Sequence, residues 1–162
     1  MAMPHALADI RIEPLVRHPA LLSRLQAWME AEWPGWYGPG GRGDARADLA
    51  DFARAEGLPL GLLALRAGEP VGLAALKRAG GFAGLDLPGP WAAAGLVPAE
   101  LRGRGIGRLL LAGLEDAARA QGFRTIFCGT ASSASLLRRA GWSLRQPFDH
   151  EGQVLSIFEK AL

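Results

Sequence analysis

"WAAAGLVPAELRGRGIGRLLLAGLEDAARAQGFRTIFCG", residues 91–129, is the stretch whose reading decides the fold. Trp91 to Pro98 is apolar throughout, as a strand buried on both faces should be. Arg102 to Arg108 then packs three glycines and three arginines into seven residues. An amphipathic helix follows at once, with Ile106, Leu110, Gly113, Leu114 and Ala117 on one stripe. Glu115 precedes Arg119 by four residues and is expected as its partner on the outer face. Gly122 closes the helix, and "FRTIFCG" reads as a second buried strand. Strand, helix and strand make a right-handed βαβ unit with two parallel strands.

A helix that begins on so poor a helix-forming segment has a reason to do so. Ligands of open α/β sheets sit where a strand's carboxyl end feeds a helix N-terminus. The first amides there have no partner within the helix, and the dipole end is positive, so an anion is welcome. Gly103, Gly105 and Gly107 let the backbone approach phosphate oxygens, and Arg102, Arg104 and Arg108 add charge. The turn therefore reads as a pyrophosphate cradle. It is not a nucleoside triphosphate loop, because Gly107-Arg108-Leu109 stands where Gly-Lys-Ser/Thr is needed. Nor is it a dinucleotide fingerprint, since its G-x-G-x-G spacing comes late in the chain, after a hairpin.

Outward from that unit, "IRIEPLVR" from Ile10 alternates like a first strand. Pro19 opens a helix carrying Leu21, Leu22, Leu25, Trp28 and Met29 on one face, ended by Pro34. "WPGWYGPGGRG" (residues 33–43) reads as a loop, and Asp44 as the N-cap of a helix burying Ala45, Leu49, Phe52 and Ala53. Leu60 to Leu76 is a β-hairpin turning at Gly68. "AGGFAGLDLPGP" is a loop, and a short helix (Ser132 to Ala140), "GWSLRQ" and a last strand "QVLSIFEKAL" finish the chain. Ser132, Ser133 and Ser135 are expected to cap that short helix. The fold class is α/β (α+β), one domain over residues 1–162.

Composition narrows the function classes. The chain has 162 residues, 49% apolar and 21% charged, which fits one globular core rather than a disordered chain. A net charge of +2, with no basic helix or aromatic-interleaved basic patch, argues against nucleic acid. Cys128 is the only cysteine and is read as a small core residue. His5, His18 and His150 are scattered, so no metal site is expected. "MAMPHALADI" is no secretory signal, and no apolar run approaches the ~20 residues that cross a bilayer, so the expected location is the cytoplasm. Trp33, Trp36 and Tyr37 beside Glu30 and Glu32 suit a cationic amine, although the same aromatics would equally fold onto the core.

"LVPAELRGRGIGRLLL" resembles the acyl-CoA-binding motif Arg/Gln-x-x-Gly-x-Gly/Ala of the GNAT superfamily of N-acetyltransferases, with Arg102, Gly105 and Gly107 in its fixed positions. The order of elements is similar over most of the chain. "LLRRAGW" matches a later signature of the family in Gly141-Trp142, and "EWPGWYG" and Pro90-Trp91 resemble bacterial small-molecule and aminoglycoside-type acetyltransferases. The resemblance implies a mixed, largely antiparallel sheet whose two parallel strands splay apart, with flanking helices. It implies acetyl-CoA as cosubstrate, its pantetheine arm along Gly95, Leu96 and Val97, and its pyrophosphate on the amides of Gly103, Arg104, Gly105, Ile106, Gly107 and Arg108. A backbone N–H near Val97 would face the thioester carbonyl and stabilise the oxyanion. The acceptor would be a small-molecule amine or a peptide N-terminus. Many members are dimers, and a homodimer is one expected assembly.

Two positions depart from the family pattern. Trp91 stands where histone-acetylating members carry a glutamate, and Leu137 where many carry a thiolate-protonating tyrosine. Glu30, Glu32, Asp86 and the "DHEG" turn (residues 149–152), with His150 in it, then hold the candidate bases. The alternative is a catalytically silent acyl-CoA-binding sensor.

Overall fold

The computed structural model describes residues 5–162; the reading of the first four residues lies outside the described residues. Seven strands form one sheet in the order β1-β2-β3-β4-β5-β7-β6. They are β1 (Ile10–Pro14), β2 (Leu60–Arg66), β3 (Glu69–Lys77), β4 (Trp91–Leu96), β5 (Thr125–Thr130), β6 (Ser143–His150) and β7 (Gln153–Ala161). Every neighbouring pair is antiparallel except β4–β5. The helices are α1 (His5–Ala8), α2 (Leu22–Glu32), α3 (Pro34–Tyr37), α4 (Ala45–Phe52), α5 (Ile106–Ala120) and α6 (Ala134–Arg139).

Local chemistry sets most of these boundaries. Ala67 and Gly68 both take positive φ (50° and 79°), the twist of a two-residue turn that suits a hairpin. Asp44 accepts a hydrogen bond from the Ala47 N–H at 3.0 Å and caps α4. α5 lays Ile106, Leu110, Leu114 and Ala118 against Leu62, Ala64, Ala74 and Leu76 on one face of the sheet. α2 and α4 lay Leu25, Met29, Leu49 and Phe52 against Leu63, Leu65, Leu73 and Ala75 on the other. Both faces of β2 and β3 are thus covered, which explains their unbroken apolar sequence despite antiparallel pairing. Gly113 lets α5 seat on β1, because a Cβ there would stand 2.9 Å from the Ile12 side chain.

Four expectations need correction. The segment 33–43 is not loop throughout: Pro34 starts the single turn of α3, with the Tyr37 N–H on the Trp33 carbonyl. β4 is buried on both faces only at its start, and Ala93, Ala94 and Gly95 open to a cleft. The hairpin joining β6 to β7 narrows the "DHEG" turn to Glu151 and Gly152, both at positive φ. Glu115 is not on an outer face. It is buried, ion-paired with Lys160 Nζ at 2.7 Å, and accepts from Trp142 Nε1 at 3.3 Å; Arg119 stands 3.8 Å away. Lys160 also donates to the Ala140 carbonyl, so that flank of α5 faces β7 and the end of α6 rather than water. Among the described residues no helix is long and apolar enough to cross a membrane.

Candidate active site

The site begins where two strands stop pairing. β4 and β5 share one partner pair, Trp91 and Phe127, beside the hydrogen bond from the Phe127 N–H to the Pro90 carbonyl at 3.0 Å. Beyond it the strands part, and a cleft of about 1060 Å³ opens between Ala92–Val97 on one side and Cys128–Thr130 on the other. β4 also bulges: its register to β3 steps from Ala75↔Ala93 to Leu73↔Leu96, and Ala94 sits at φ 53°. Positive φ costs a non-glycine residue about 1–2 kcal/mol, and a bulge re-aims the backbone that follows.

Nine of the ten residues expected to hold acyl-CoA border this cleft: Gly95, Leu96, Val97, Arg102, Gly103, Gly105, Ile106, Gly107 and Arg108. Arg104 does not; its Nη2 donates to the Glu100 carbonyl at 3.2 Å and braces the turn. Gly105 is the N-cap of α5 at φ 89°, and no side chain caps the helix, so its first amides are left for a ligand. At Gly103 (φ 76°) and Gly95 an added Cβ would meet nothing within 4 Å. At Gly105 it would meet Leu7 of α1 at 3.1 Å, so a side chain there would strike α1 before it entered the cleft. Free amides, open glycines and the Arg108 side chain fit an anionic pyrophosphate. Arg139 of α6, on the opposite wall, adds a cation that spacing did not single out.

The candidate bases separate sharply. Glu32 is the one carboxylate bordering the cleft among the described residues. It is not free: Arg102 Nη2 donates to both its oxygens, at 2.8 and 3.0 Å. Arg102 Nε donates to the Val97 carbonyl at 2.8 Å, which ties the end of β4 to the end of α2. Glu30 lies off the cleft and accepts from Gln26 Nε2 at 2.8 Å. Asp86 is exposed in the 78–90 loop. His150, at the end of β6, packs edge-on against Phe82 with 5.1 Å between ring centroids and does not border the cleft.

Of the three loop aromatics only Trp33 borders the cleft. Trp36 is exposed, with the Arg42 guanidinium over its ring at 5.5 Å. The Tyr37 hydroxyl donates to Asp48 Oδ2 at 2.7 Å. Burial first, and that carboxylate second, push the phenol well above its usual range, so it stays a neutral donor. Arg42 also reaches Glu151 at 3.0 Å, joining the loop before α4 to the β6–β7 turn.

The opposite wall is the β5–α6 crossover. The expected serine caps are replaced there by Thr130, whose Oγ1 accepts from the N–H groups of Ser132 (3.2 Å) and Ser133 (2.8 Å). The Ser132 and Ser133 side chains are left bordering the cleft. Leu137 is fully buried. Cys128 touches the cleft, but its apolar surroundings push the thiol up to about 12, so it is neutral near pH 7. A second hollow, about 420 Å³, lies within the 78–90 loop and has no carboxylate among its lining side chains.

Comparison with known proteins agrees with this geometry. No protein of curated function matches the chain at a significant level. An aminoglycoside 6'-N-acetyltransferase complexed with coenzyme A shares the fold at a TM-score of 0.75 and 17% identity, over 93% of this chain and 96% of that one. The aminoglycoside 6'-N-acetyltransferase from Enterococcus faecium is similar at 0.74 and 17%, over 93% and 96%. The ribosomal-protein-alanine N-acetyltransferase from Brucella melitensis is similar at 0.70 and 25%, over 94% and 99%. The family model for the acetyltransferase (GNAT) family matches residues 25–142, which takes in most of α2, the glycine turn, β4, β5 and Trp142. The chain belongs to the GNAT acetyltransferase family.

Proposed function

We propose that the protein transfers the acetyl group of acetyl-CoA to the primary amine of a cationic small molecule or a peptide N-terminus. One observation carries the acceptor class: the cleft that holds the glycine turn has at its α2 end Glu32, the one carboxylate bordering it among the described residues, followed by Trp33. An aromatic face beside a carboxylate attracts an ammonium group. The relatives above are named for aminoglycosides and for ribosomal-protein alanine, and both an aminoglycoside and a peptide N-terminus present such a group.

When bound, acetyl-CoA supplies an acetyl thioester for attack by the amine. In this reading Gly95–Val97 offer main-chain groups to the pantetheine arm, and the amides of Gly103–Arg108 hold the pyrophosphate. Arg102 Nε donates to the Val97 carbonyl and ties down the end of β4, and the Val97 N–H on the other side of that residue would face the reacting carbonyl. An alkyl ammonium has a pKa of about 10.4, so a proton must leave before the nitrogen can attack. Glu32 is preferred to Glu30 and His150 as its acceptor, directly or through water, because it alone borders the cleft. Leu137 offers no proton to the departing sulfur. A thiol of pKa about 8.5 leaves as thiolate with only a tenfold to thirtyfold handicap at pH 7.

The test is release of free CoA thiol from acetyl-CoA on adding amines: aminoglycosides, polyamines, amino acid amides and short peptides. At least one should accelerate release, with a rate that climbs as pH approaches the amine's pKa. Binding of acetyl-CoA with no amine-dependent release across the panel would point instead to a sensor.

A further inference from the structure

Arg102 occupies a position that the motif alone does not explain. Its guanidinium binds the end of β4 and the end of α2 at once, through the Val97 carbonyl and both Glu32 oxygens. Yet its backbone opens the glycine turn, and both Arg102 and Glu32 border the cleft. The two side chains are 51% and 37% exposed. A pair that wet is worth about 0–1 kcal/mol, so it exchanges readily for a better partner. No second carboxylate borders the cleft among the described residues to take its place.

We propose that Arg102 is shared between the two substrate subsites, so that an anion at the glycine turn and a cation at Glu32 bind cooperatively. This rests on the reading of the turn as the acetyl-CoA subsite and of the α2 end as the amine subsite. In the free protein Glu32 holds Arg102 away from the turn, and Arg102 neutralises Glu32. An anionic pyrophosphate on the Gly103–Arg108 amides competes with Glu32 for the guanidinium. As the guanidinium turns toward the phosphates, Glu32 loses its only ion-pair partner among the described residues and becomes available to an ammonium group. The converse holds: an ammonium group on Glu32 releases Arg102 toward the turn. Each ligand removes the other's competitor, and linkage requires the two effects to be equal. Glu32 thereby acquires a proton-accepting role only when the donor subsite is filled, which disfavours deprotonating an amine with no acetyl group in reach.

The experiment uses the full chain and free CoA, which cannot react, with affinity measured by calorimetry. Glu32→Gln removes the competitor and should tighten CoA binding roughly three- to fivefold, the upper end of what an exposed pair is worth. Arg102→Gln should weaken CoA by a similar factor. In the Arg102→Gln background, Glu32→Gln should change CoA affinity less than about twofold, which separates the bridge from a general loss of negative charge. Glu30→Gln, two residues away and off the cleft, is the control and should be silent. The exposed pair contributes little to folding, and a thermal melt of each variant checks that the fold is kept. CoA affinity that is unchanged or weakened by Glu32→Gln overturns the proposal, and so does equal tightening in both backgrounds. Amine-dependent thiol release is scored separately, and its absence bears on the acceptor reading alone.

Discussion

The two sides of the cleft are built from different materials. On the glycine-turn side the wall is main chain: the β4 edge at Gly95–Val97, a left-handed Gly103 and the uncapped amides at the start of α5. On the α2 side, side chains form it: Glu32 at the end of α2 and Trp33 just after it border the cleft, while Arg42 before α4 and Phe82 in the 78–90 loop, which meet Glu151 and His150 near the β6–β7 turn, stand off it. A backbone-built subsite needs only the right residue types in order, and glycine spacing announces it. A side-chain-built subsite depends on which loop reaches which, and no local pattern encodes that.

The largest effect expected from this contrast comes from Gly95→Val. Gly95 is exposed in a strand, and an added Cβ meets no atom within 4 Å, so the fold should tolerate a β-branched residue there. The same side chain would stand at the main-chain edge that the proposed function assigns to the pantetheine arm. Acetyl-CoA affinity should fall roughly a thousandfold, about 4 kcal/mol, with the melting temperature of the ligand-free protein unchanged. Calorimetry beside a thermal melt measures both. A variant that still binds acetyl-CoA normally would detach the β4 edge from the ligand.

Legibility follows the same division. Alternation and turn residues were enough to place β1, the β2–β3 hairpin, α4 with its Asp44 cap and the βαβ unit, because each is set by neighbours within a few residues. Nine of the ten residues that the resemblance assigns to acyl-CoA border one cleft, and Arg104 instead turns back to Glu100. The bulge at Ala94 was not legible, since nothing in "WAAAGL" distinguishes a left-handed alanine from its neighbours. Nor was the bridge from Arg102 to Glu32, which joins residues 70 apart. Glu115 misled for a related reason. Its spacing to Arg119 suited an exposed pair, but β7 and Trp142 lie against that flank of α5.

Glu115 supplies the next test, because its ion pair holds the backbone-built side from behind. Glu115 is buried, and Lys160 links it to the Ala140 carbonyl at the end of α6, the helix that carries Leu137 and Arg139. Lys160→Met leaves the carboxylate buried with Trp142 Nε1 and a distant Arg119 as its remaining partners. Uncompensated buried charge costs several kcal/mol, and these residual contacts put the loss near the lower end, about 3 kcal/mol. The melting temperature should drop by roughly 6–12 °C for a chain of this size. A drop of only a degree or two would mean that the carboxylate is already well hydrated.

The smallest effect belongs to the rim. Arg42 and Glu151 are joined at 3.0 Å, but their side chains are 75% and 62% exposed. The Coulomb gain of such a pair is largely cancelled by the entropy of holding two long side chains and by salt. Arg42→Ala also removes the cation over the Trp36 ring, itself an exposed contact worth at most about 1 kcal/mol. The melting temperature should move by less than about 4 °C, and any shift should shrink further between low and high salt. Acetyl-CoA affinity should not change, because neither residue borders the cleft. KM for a responding amine is the sensitive quantity. If the bridge between the loop and the β6–β7 turn restricts entry, its loss should alter KM severalfold while kcat stays constant, the pattern of a binding effect rather than a chemical one. A fall in kcat at unchanged KM would give the Arg42–Glu151 bridge a part in the reaction itself, and the proposed division between a main-chain side for the donor and a loop side for the acceptor would no longer stand.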